Sequence, residues 1–235
     1  MEDFRKKIIV AIDTTDINRA LFISNSVPEV GALKLGLEFF CANGPEGVNK
    51  ILQTGAKIFL DLKFHDIPNT VTGAISASLK LCPHMMTVHL SGGYNMLKSS
   101  VDMVSNFSVN NNLQKPLILG VSVLTSIDKS DFPSLGFSGS VESQVKRLAD
   151  LALRAGLDGL VCSAKELKII REYVGKDILL VTPGIRPLGN NINDQKRIVT
   201  PSQAIKDGAD FLVIGRPITE AEEPNIALNK ICSEI

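Results

Sequence analysis

The chain has 235 residues and carries 25 Lys and Arg against 25 Asp and Glu, so its formal net charge is zero. That balance disfavours a basic nucleic-acid-binding protein. The aromatic content of 5%, without tryptophan, argues against stacking surfaces for sugars or single-stranded nucleic acid. The length suits one domain over residues 1–235, with a core that needs no disulfide or structural metal.

The spacing of the cysteines and the length of the apolar runs indicate the cellular compartment in which the protein is expected. The four cysteines are far apart and form no Cys-x-x-Cys pair, so neither a disulfide scaffold nor a zinc ribbon is expected. No His, Asp and Glu cluster has metal-ligand spacing, and we predict neither a metal nor a cofactor. The apolar run Ile8–Ile12 is too short for a signal peptide, and no stretch approaches the roughly 20 apolar residues of a membrane span. We therefore expect a cytoplasmic protein without membrane or nucleic-acid partners.

Short runs of apolar and β-branched residues recur along the chain and predict β-strands. Their nearly continuous apolar character is typical of parallel strands that are covered on both faces. The gaps between them leave room for crossover helices. The eight predicted strands are Lys7–Asp13, Leu33–Gly36, Lys57–Lys63, Met86–Leu90, Leu117–Thr125, Leu160–Ser163, Leu179–Thr182 and Phe211–Gly215.

Three intervening segments carry clear helix signals. Val141–Ala155 repeats apolar residues on one face and precedes Gly156, a helix-stop residue. Pro68–Leu81 begins with proline, and Thr200–Lys206 begins with a Thr-Pro-Ser sequence suited to a capped start.

Eight βα units in a chain of this length predict an α/β fold of the closed (β/α)8 (TIM) barrel type, which takes about 250 residues. A doubly wound open sheet is the alternative, but the first strand is not followed by a G-x-G-x-x-G sequence. Two turn-rich loops, Ser126–Ser140 and Arg186–Asp194, would lie at the carboxyl end of the barrel, where active sites form. Both are candidate lids.

Charged residues stand at the ends of the first three predicted strands. Asp13 ends the first, Lys34 lies on the second, and the third ends in Asp61 and Lys63, with Asp66 three residues on. Because a strand alternates with period two, Asp61 and Lys63 should face the same way, into the barrel mouth. Lys34 can lie next to Asp61, and Asp66 can return to Lys63. An ion-pair network that plugs the barrel is the alternative, but desolvation makes buried ion pairs poor stabilisers.

A second candidate site follows the last two strands, where barrels commonly bind phosphate. Gly215 would let the main chain approach an anion, and Arg216 can donate two hydrogen bonds to phosphate oxygens. Arg186 lies in the loop after the seventh strand and could assist. Gln195, in the same loop, carries no signal of its own.

The segment Phe59–Val71, with the sequence FLDLKFHDIPNTV, resembles the signature of the orotidine 5'-phosphate decarboxylase family. The flanking motifs, which include Pro-Gly-Ile-Arg-Pro after the seventh strand and Ile-Gly-Arg-Pro-Ile at the eighth, occur in the same order, so the resemblance covers the whole chain. It implies a carboxy-lyase that converts orotidine 5'-phosphate to uridine 5'-monophosphate (UMP) and CO2 without a cofactor, in de novo pyrimidine biosynthesis.

The resemblance also implies roles for individual residues. Lys63 would be the general acid that protonates carbon 6 of the ring, and Asp61 would lie against the departing carboxylate. Lys34 and Asp66 would complete an alternating Lys-Asp-Lys-Asp array. Asp66 and Thr70 would reach into the neighbouring site of a homodimer. The implied substrate-binding residues are Asp13, Lys34, Thr70, Thr125, Arg186, Gln195, Gly215 and Arg216.

Two other functions stay open. One is a magnesium-dependent decarboxylase or aldolase of the same barrel superfamily that acts on sugar phosphates. Such enzymes resemble each other in placing an acidic metal ligand on the second strand, where this chain has Lys34. The other is a non-catalytic protein that binds a nucleotide phosphate.

Overall fold

Eight parallel strands close into a barrel in the order in which they occur along the chain, with β1 hydrogen-bonded to both β2 and β8. The computed structural model describes residues 3–187 and 199–235. The predicted (β/α)8 barrel is confirmed, and the doubly wound open sheet is wrong. The strands are β1 Ile8–Ile12, β2 Ala32–Gly36, β3 Ile58–Phe64, β4 Met85–His89, β5 Leu117–Val121, β6 Gly159–Val161, β7 Leu179–Thr182 and β8 Phe211–Ile214.

Helices follow the strands and form the outer layer. Helix α5 begins after Ser140, whose hydroxyl accepts a hydrogen bond from the Ser143 amide, and it ends at Gly156 in the left-handed conformation. The prediction for Val141–Ala155 is therefore confirmed. The helices are α1 Ile17–Ser26, α2 Leu37–Leu52, α3 Pro68–Leu79, α4 Gly93–Asn111, α5 Val141–Ala155, α6 Leu167–Val174, α7 Pro201–Lys206, α8 Arg216–Thr219 and α9 Pro224–Ser233.

Alternation along each strand divides the core into two layers. In β1 all five residues are buried, yet Ile9 and Ala11 pack inside the barrel while Ile8, Val10 and Ile12 pack against the helices. The inner layer is small, and Phe59 supplies one of its largest side chains. Because this layer fills the barrel, polar side chains gather only at its mouth.

Five predicted strands, the first, fourth, fifth, sixth and eighth, end one to four residues earlier than the sequence predicts. Strand β5 ends at Val121, so Thr125 lies in a turn four residues beyond it rather than at the strand end. Strand β1 ends at Ile12, which leaves Asp13 as the first residue of the following loop. At β5 the apolar pattern continues beyond the ladder, because the pairing with β4 and β6 stops at Val121.

No helix in residues 3–187 and 199–235 combines the length and the apolar character needed to cross a membrane.

Candidate active site

Four charged side chains meet at the carboxyl ends of β1, β2 and β3. Lys63 Nζ lies 2.8 Å from Asp61 Oδ2, and Lys34 Nζ lies 3.8 Å from the same oxygen. Lys34 Nζ also donates to Asp13 Oδ1 at 3.0 Å. The charges therefore alternate in the order Asp13, Lys34, Asp61, Lys63. At an effective dielectric constant of about 20, each contact near 4 Å contributes roughly 4 kcal/mol of Coulomb energy before desolvation is subtracted.

Burial increases along this row towards Asp61. The Asp61 side chain is 10% exposed and that of Lys34 13%, whereas the Asp13 side chain is 56% exposed. Asp61 is thus a largely desolvated carboxylate that two ammonium groups compensate. Such a group is fixed before any ligand arrives, which is what electrostatic preorganisation requires.

Lys63 has an unusual main-chain conformation. Its φ angle is 51°, in the left-handed region that a residue with a side chain occupies at a cost of about 1 to 3 kcal/mol. The ladder is irregular here: Leu60 pairs with Met86, but the next pair is Phe64 with Val88. Three residues of β3 thus face one residue of β4, and the bulge brings Lys63 Nζ back to the Asp61 carboxylate.

Sequence reasoning missed Thr87, the residue of β4 that faces this bulge. Its hydroxyl lies 2.9 Å from Asp61 Oδ1 and 2.9 Å from the main-chain nitrogen of Lys63, and the side chain is fully buried. A threonine in an apolar strand has no distinguishing signal in a single sequence, because its partners lie 24 and 26 residues away.

Asp66 and Thr70 lie apart from this array. Both are exposed, and the Asp66 carboxylate accepts a hydrogen bond from the Ile67 amide at 2.7 Å. In the part of the chain that the structure describes, Asp66 makes no ion pair with Lys63. The expectation that Asp66 returns to Lys63 within one chain is therefore not met, because the loop carries the carboxylate outward.

A hollow of about 250 Å³ opens beside the charged row. Lys34, Asp61 and Lys63 line one side, and the apolar side chains of Val121, Val161 and Val213 line another part of the wall. Thr125 also lines it, although it lies beyond β5. The space is of a size to hold a small heterocycle, with charge on one wall and apolar contacts elsewhere.

A second hollow, of about 360 Å³, lies next to the first strand and contains both Asp13 and Arg216. Arg216 is the exposed first residue of α8, and Gly215 precedes it. A Cβ at Gly215 would stand 3.4 Å from the Ala11 Cβ. The Lys34–Asp13 ion pair connects the two hollows, so their contents would be neighbours.

The loop after β7 is described only in part. Arg186 is half-buried, and its amide donates to the Val199 carbonyl at 3.2 Å. Gln195 and most of the candidate lid Arg186–Asp194 lie outside the described residues. The other candidate lid, Ser126–Ser140, consists largely of turns, and its own Phe132 side chain is buried.

Burial shifts the pKa values of two side chains that follow β6, Cys162 and Glu166. It raises the pKa of the Cys162 thiol to about 12, with a smaller contribution from the Glu166 charge, so this cysteine is protonated at neutral pH. Burial likewise raises the pKa of Glu166 to about 7, although a hydrogen bond from Ser163 and the charge of Lys165 oppose the change.

Two histidines stack next to Lys63. The rings of His65 and His89 lie 5.1 Å apart at an interplanar angle of 19°. Burial lowers the pKa of His89, and the nearby His65 and Lys63 lower it further. His89 Nδ1 is hydrogen-bonded to the Ser91 hydroxyl at 2.6 Å. The neutral imidazole is thereby favoured beside the ammonium of Lys63.

Two further hollows, of about 320 and 660 Å³, lie at the amino-terminal face of the barrel, and both exceed the 250 Å³ hollow beside the charged row. None of the candidate site residues lines them in the described ranges, so size alone does not mark the site. Within those same ranges, no group of three or more His, Cys, Asp and Glu side chains is placed to hold a metal ion.

Comparison with known proteins identifies the family. Residues 6–231 match the family model for orotidine 5'-phosphate decarboxylase / HUMPS proteins. The chain belongs to this family. The resemblance seen in Phe59–Val71 is thereby confirmed over nearly the whole length.

Curated members of the family are similar across their full length. The orotidine 5'-phosphate decarboxylase of Rhodospirillum rubrum is 48% identical over 230 residues, which cover 97% of this chain and 93% of that protein. The Teredinibacter turnerae protein of the same name is 45% identical, with 97% of each chain covered. A crystal structure of orotidine 5'-phosphate decarboxylase from Lactobacillus acidophilus superposes with a TM-score of 0.84 at 37% identity and 97% coverage of both chains.

Proposed function

We propose that this protein is an orotidine 5'-phosphate decarboxylase that releases CO2 from carbon 6 of its substrate and forms UMP, a reaction of pyrimidine biosynthesis. The observation that carries the proposal is the contact of 2.8 Å between Lys63 Nζ and the buried Asp61 carboxylate, beside a hollow for a heterocycle. Relatives with that name at 44 to 48% identity support it.

In the proposed reaction the bond between carbon 6 and the carboxylate breaks, and its electron pair stays on carbon 6. The Lys63 ammonium then gives its proton to that carbon, and the neutral amine regains a proton from water. Asp61, which Lys34 also contacts, holds the Lys63 ammonium where negative charge develops, so that little reorganisation is needed during the reaction. No metal or cofactor takes part in this proposal.

The nucleotide would span both hollows. Its pyrimidine would lie near Thr125 and its ribose hydroxyls near Asp13 and Lys34. Its phosphate would lie near Arg216, whose guanidinium can donate two parallel hydrogen bonds to an oxyanion. Arg186, Gly215 and Gln195 complete the proposed phosphate site. Binding energy from the remote phosphate would then be available to order the catalytic groups.

We propose a cytoplasmic homodimer as the active form. Ile67 is 67% exposed between Asp66 and the start of α3, and Asp66 and Thr70 beside it are exposed as well. A second subunit packed here would cover Ile67 and bring Asp66 and Thr70 to its own active site. Asp66 would then complete the alternating array that one chain leaves unfinished.

The magnesium-dependent alternative is less well supported. The family's name covers a second group of proteins, so membership alone does not choose between them. Lys34 Nζ, however, lies 3.0 Å from Asp13 and 3.8 Å from Asp61, so an ammonium already compensates both carboxylates and would repel a divalent cation. Full activity after treatment with a chelator is expected.

The decisive experiment is to mix the protein with orotidine 5'-phosphate and to follow the pyrimidine absorbance. We expect the absorbance to decrease and one CO2 to be released for each orotidine 5'-phosphate consumed. Lys63→Ala should abolish turnover while UMP still binds, and near-normal turnover would refute the proton-donor role. Binding of UMP by the wild-type protein without any turnover would favour the non-catalytic alternative.

The shared site has its own test. Lys63→Ala and Asp66→Asn chains should each be inactive alone, and a mixture should regain activity because a heterodimer contains one intact site. A mixture that exchanges subunits but stays inactive would refute the sharing of Asp66.

A further inference from the structure

We infer that Thr87 is a positioning residue for the proposed decarboxylation and that its hydroxyl fixes the Asp61 carboxylate and the Lys63 main chain at the same time. This inference rests on the proposed function of the site. It assigns a role to a side chain of β4 that contributes neither charge nor direct contact with the 250 Å³ hollow.

The direction of both hydrogen bonds follows from their chemistry. An ionised carboxylate can only accept, so the Thr87 hydroxyl donates its single proton to Asp61 Oδ1 at 2.9 Å. The hydroxyl oxygen then accepts from the Lys63 amide at 2.9 Å. One hydroxyl thus uses its donor and one of its lone pairs, and the remaining Asp61 oxygen is left for Lys63 Nζ.

The bulge explains why a side chain is needed here. The ladder between β3 and β4 resumes only at Phe64 and Val88, so the Lys63 amide has no carbonyl partner across the bulge. An unpaired main-chain donor in a buried place is unfavourable. Thr87 supplies the missing acceptor, and its branched side chain restricts the rotation that would break the contact.

The same contact holds the left-handed conformation of Lys63. With φ at 51°, this residue would relax towards an ordinary strand conformation if its amide were free to turn. Relaxation would carry Nζ away from Asp61. Loss of the Thr87 hydroxyl should therefore affect the chemical step more than nucleotide binding, because the proposed phosphate contacts of Arg216 are on β8's side of the barrel.

The test is steady-state kinetics on orotidine 5'-phosphate with Thr87→Val, which removes the hydroxyl and keeps the shape. We expect kcat to fall by about tenfold to a hundredfold, as for small misplacements of a catalytic group, with KM within about threefold of wild type. Thr87→Ser should restore kcat to within about threefold. Ser100→Ala serves as control, because it also removes a fully buried hydroxyl, one that donates to the Met96 carbonyl of its own helix.

Should Thr87→Val not fold, Thr87→Ser and Thr87→Cys form the deciding pair, since a thiol is similar in size but is a weak donor. The Thr87→Cys variant should lose activity, and the Thr87→Ser variant should keep it. Equal kcat values for these two variants would overturn the inference, as would a folded Thr87→Val variant with unchanged kcat. An inactive wild-type protein would instead reject the proposed function itself, so the two failures are distinguishable.

Discussion

Replacing Glu166 by glutamine should stabilise the protein, by an amount that grows as the pH rises above 4.5 and is complete above about pH 7. Glu166 lies just after β6, where burial raises its pKa from an ordinary 4.5 to about 7. Its Oε2 atom accepts one hydrogen bond, from the Ser163 amide at 3.2 Å, which compensates the charge only in part. Glutamine has the same shape, can accept the same bond and carries no charge to desolvate.

The sign of the effect follows from proton binding. Between pH 4.5 and about 7 the unfolded chain has lost the Glu166 proton while the folded protein keeps it, so stability falls as the pH rises through this range. Above pH 7 both states are ionised and the loss is complete. The two pKa values differ by an amount worth about 3 kcal/mol. At about 2 to 4 °C per kcal/mol for a protein of this size, Glu166→Gln should raise Tm by about 6 to 12 °C at pH 8.

Thermal and urea unfolding of both proteins at pH 4, 6 and 8 would measure this effect. The gain should be close to zero at pH 4, partial at pH 6 and full at pH 8. Glu172→Gln is the matched control, because Glu172 is an exposed residue of α6. A gain of equal size at every pH, or none at pH 8, would refute the argument that Glu166 is ionised at a cost.

Three further changes separate function from stability. In Gly36→Ala the new Cβ would stand 3.0 Å from Lys34 Nζ, so the ammonium must move. Steady-state assays should show kcat reduced about tenfold, with little change in Tm. An unchanged kcat would contradict this prediction. Arg171 donates to the Gly208 carbonyl and to Asp210, just before β8. Arg171→Leu should cost about 2 kcal/mol in urea unfolding, because these acceptors lose their donor, while kcat of the folded protein persists. Ser140→Ala removes the capping box of α5 and should lower the free energy of unfolding by about 1 kcal/mol. Ser134→Ala, a loop change outside any helix, is the control. An equal loss in both variants would mean that the cap does not stabilise α5.

The barrel could be predicted from the sequence because its evidence is local. Each strand is a short apolar run, and the α5 segment carries its own start and stop residues. The proximity of Lys34, Asp61 and Lys63 could be predicted as well, since parallel strands bring their carboxyl ends to one mouth. These features need only the order of the elements and the alternation within a strand.

Other features depend on contacts that no short segment contains. The end of β5 at Val121 is set by where β4 and β6 stop pairing, not by the apolar residues that continue towards Thr125. The outward position of Asp66 is set by the loop after β3, which strand alternation does not describe. Glu166 looks like an ordinary surface carboxylate in sequence, and only its burial in the folded protein raises its pKa.

The bulge at Lys63 bears on the choice between a catalytic array and a structural plug. A plug would be selected for stability, and a regular strand would already place Asp61 and Lys63 on one face. Instead the strand takes a left-handed lysine next to a desolvated carboxylate, and each of these features lowers stability on its own. The buried Thr87 hydroxyl then bonds both the main-chain nitrogen of Lys63 and the Asp61 carboxylate. A local arrangement that costs stability and is held so firmly is better explained by the need to keep an ammonium in one place than by a need to fill the barrel.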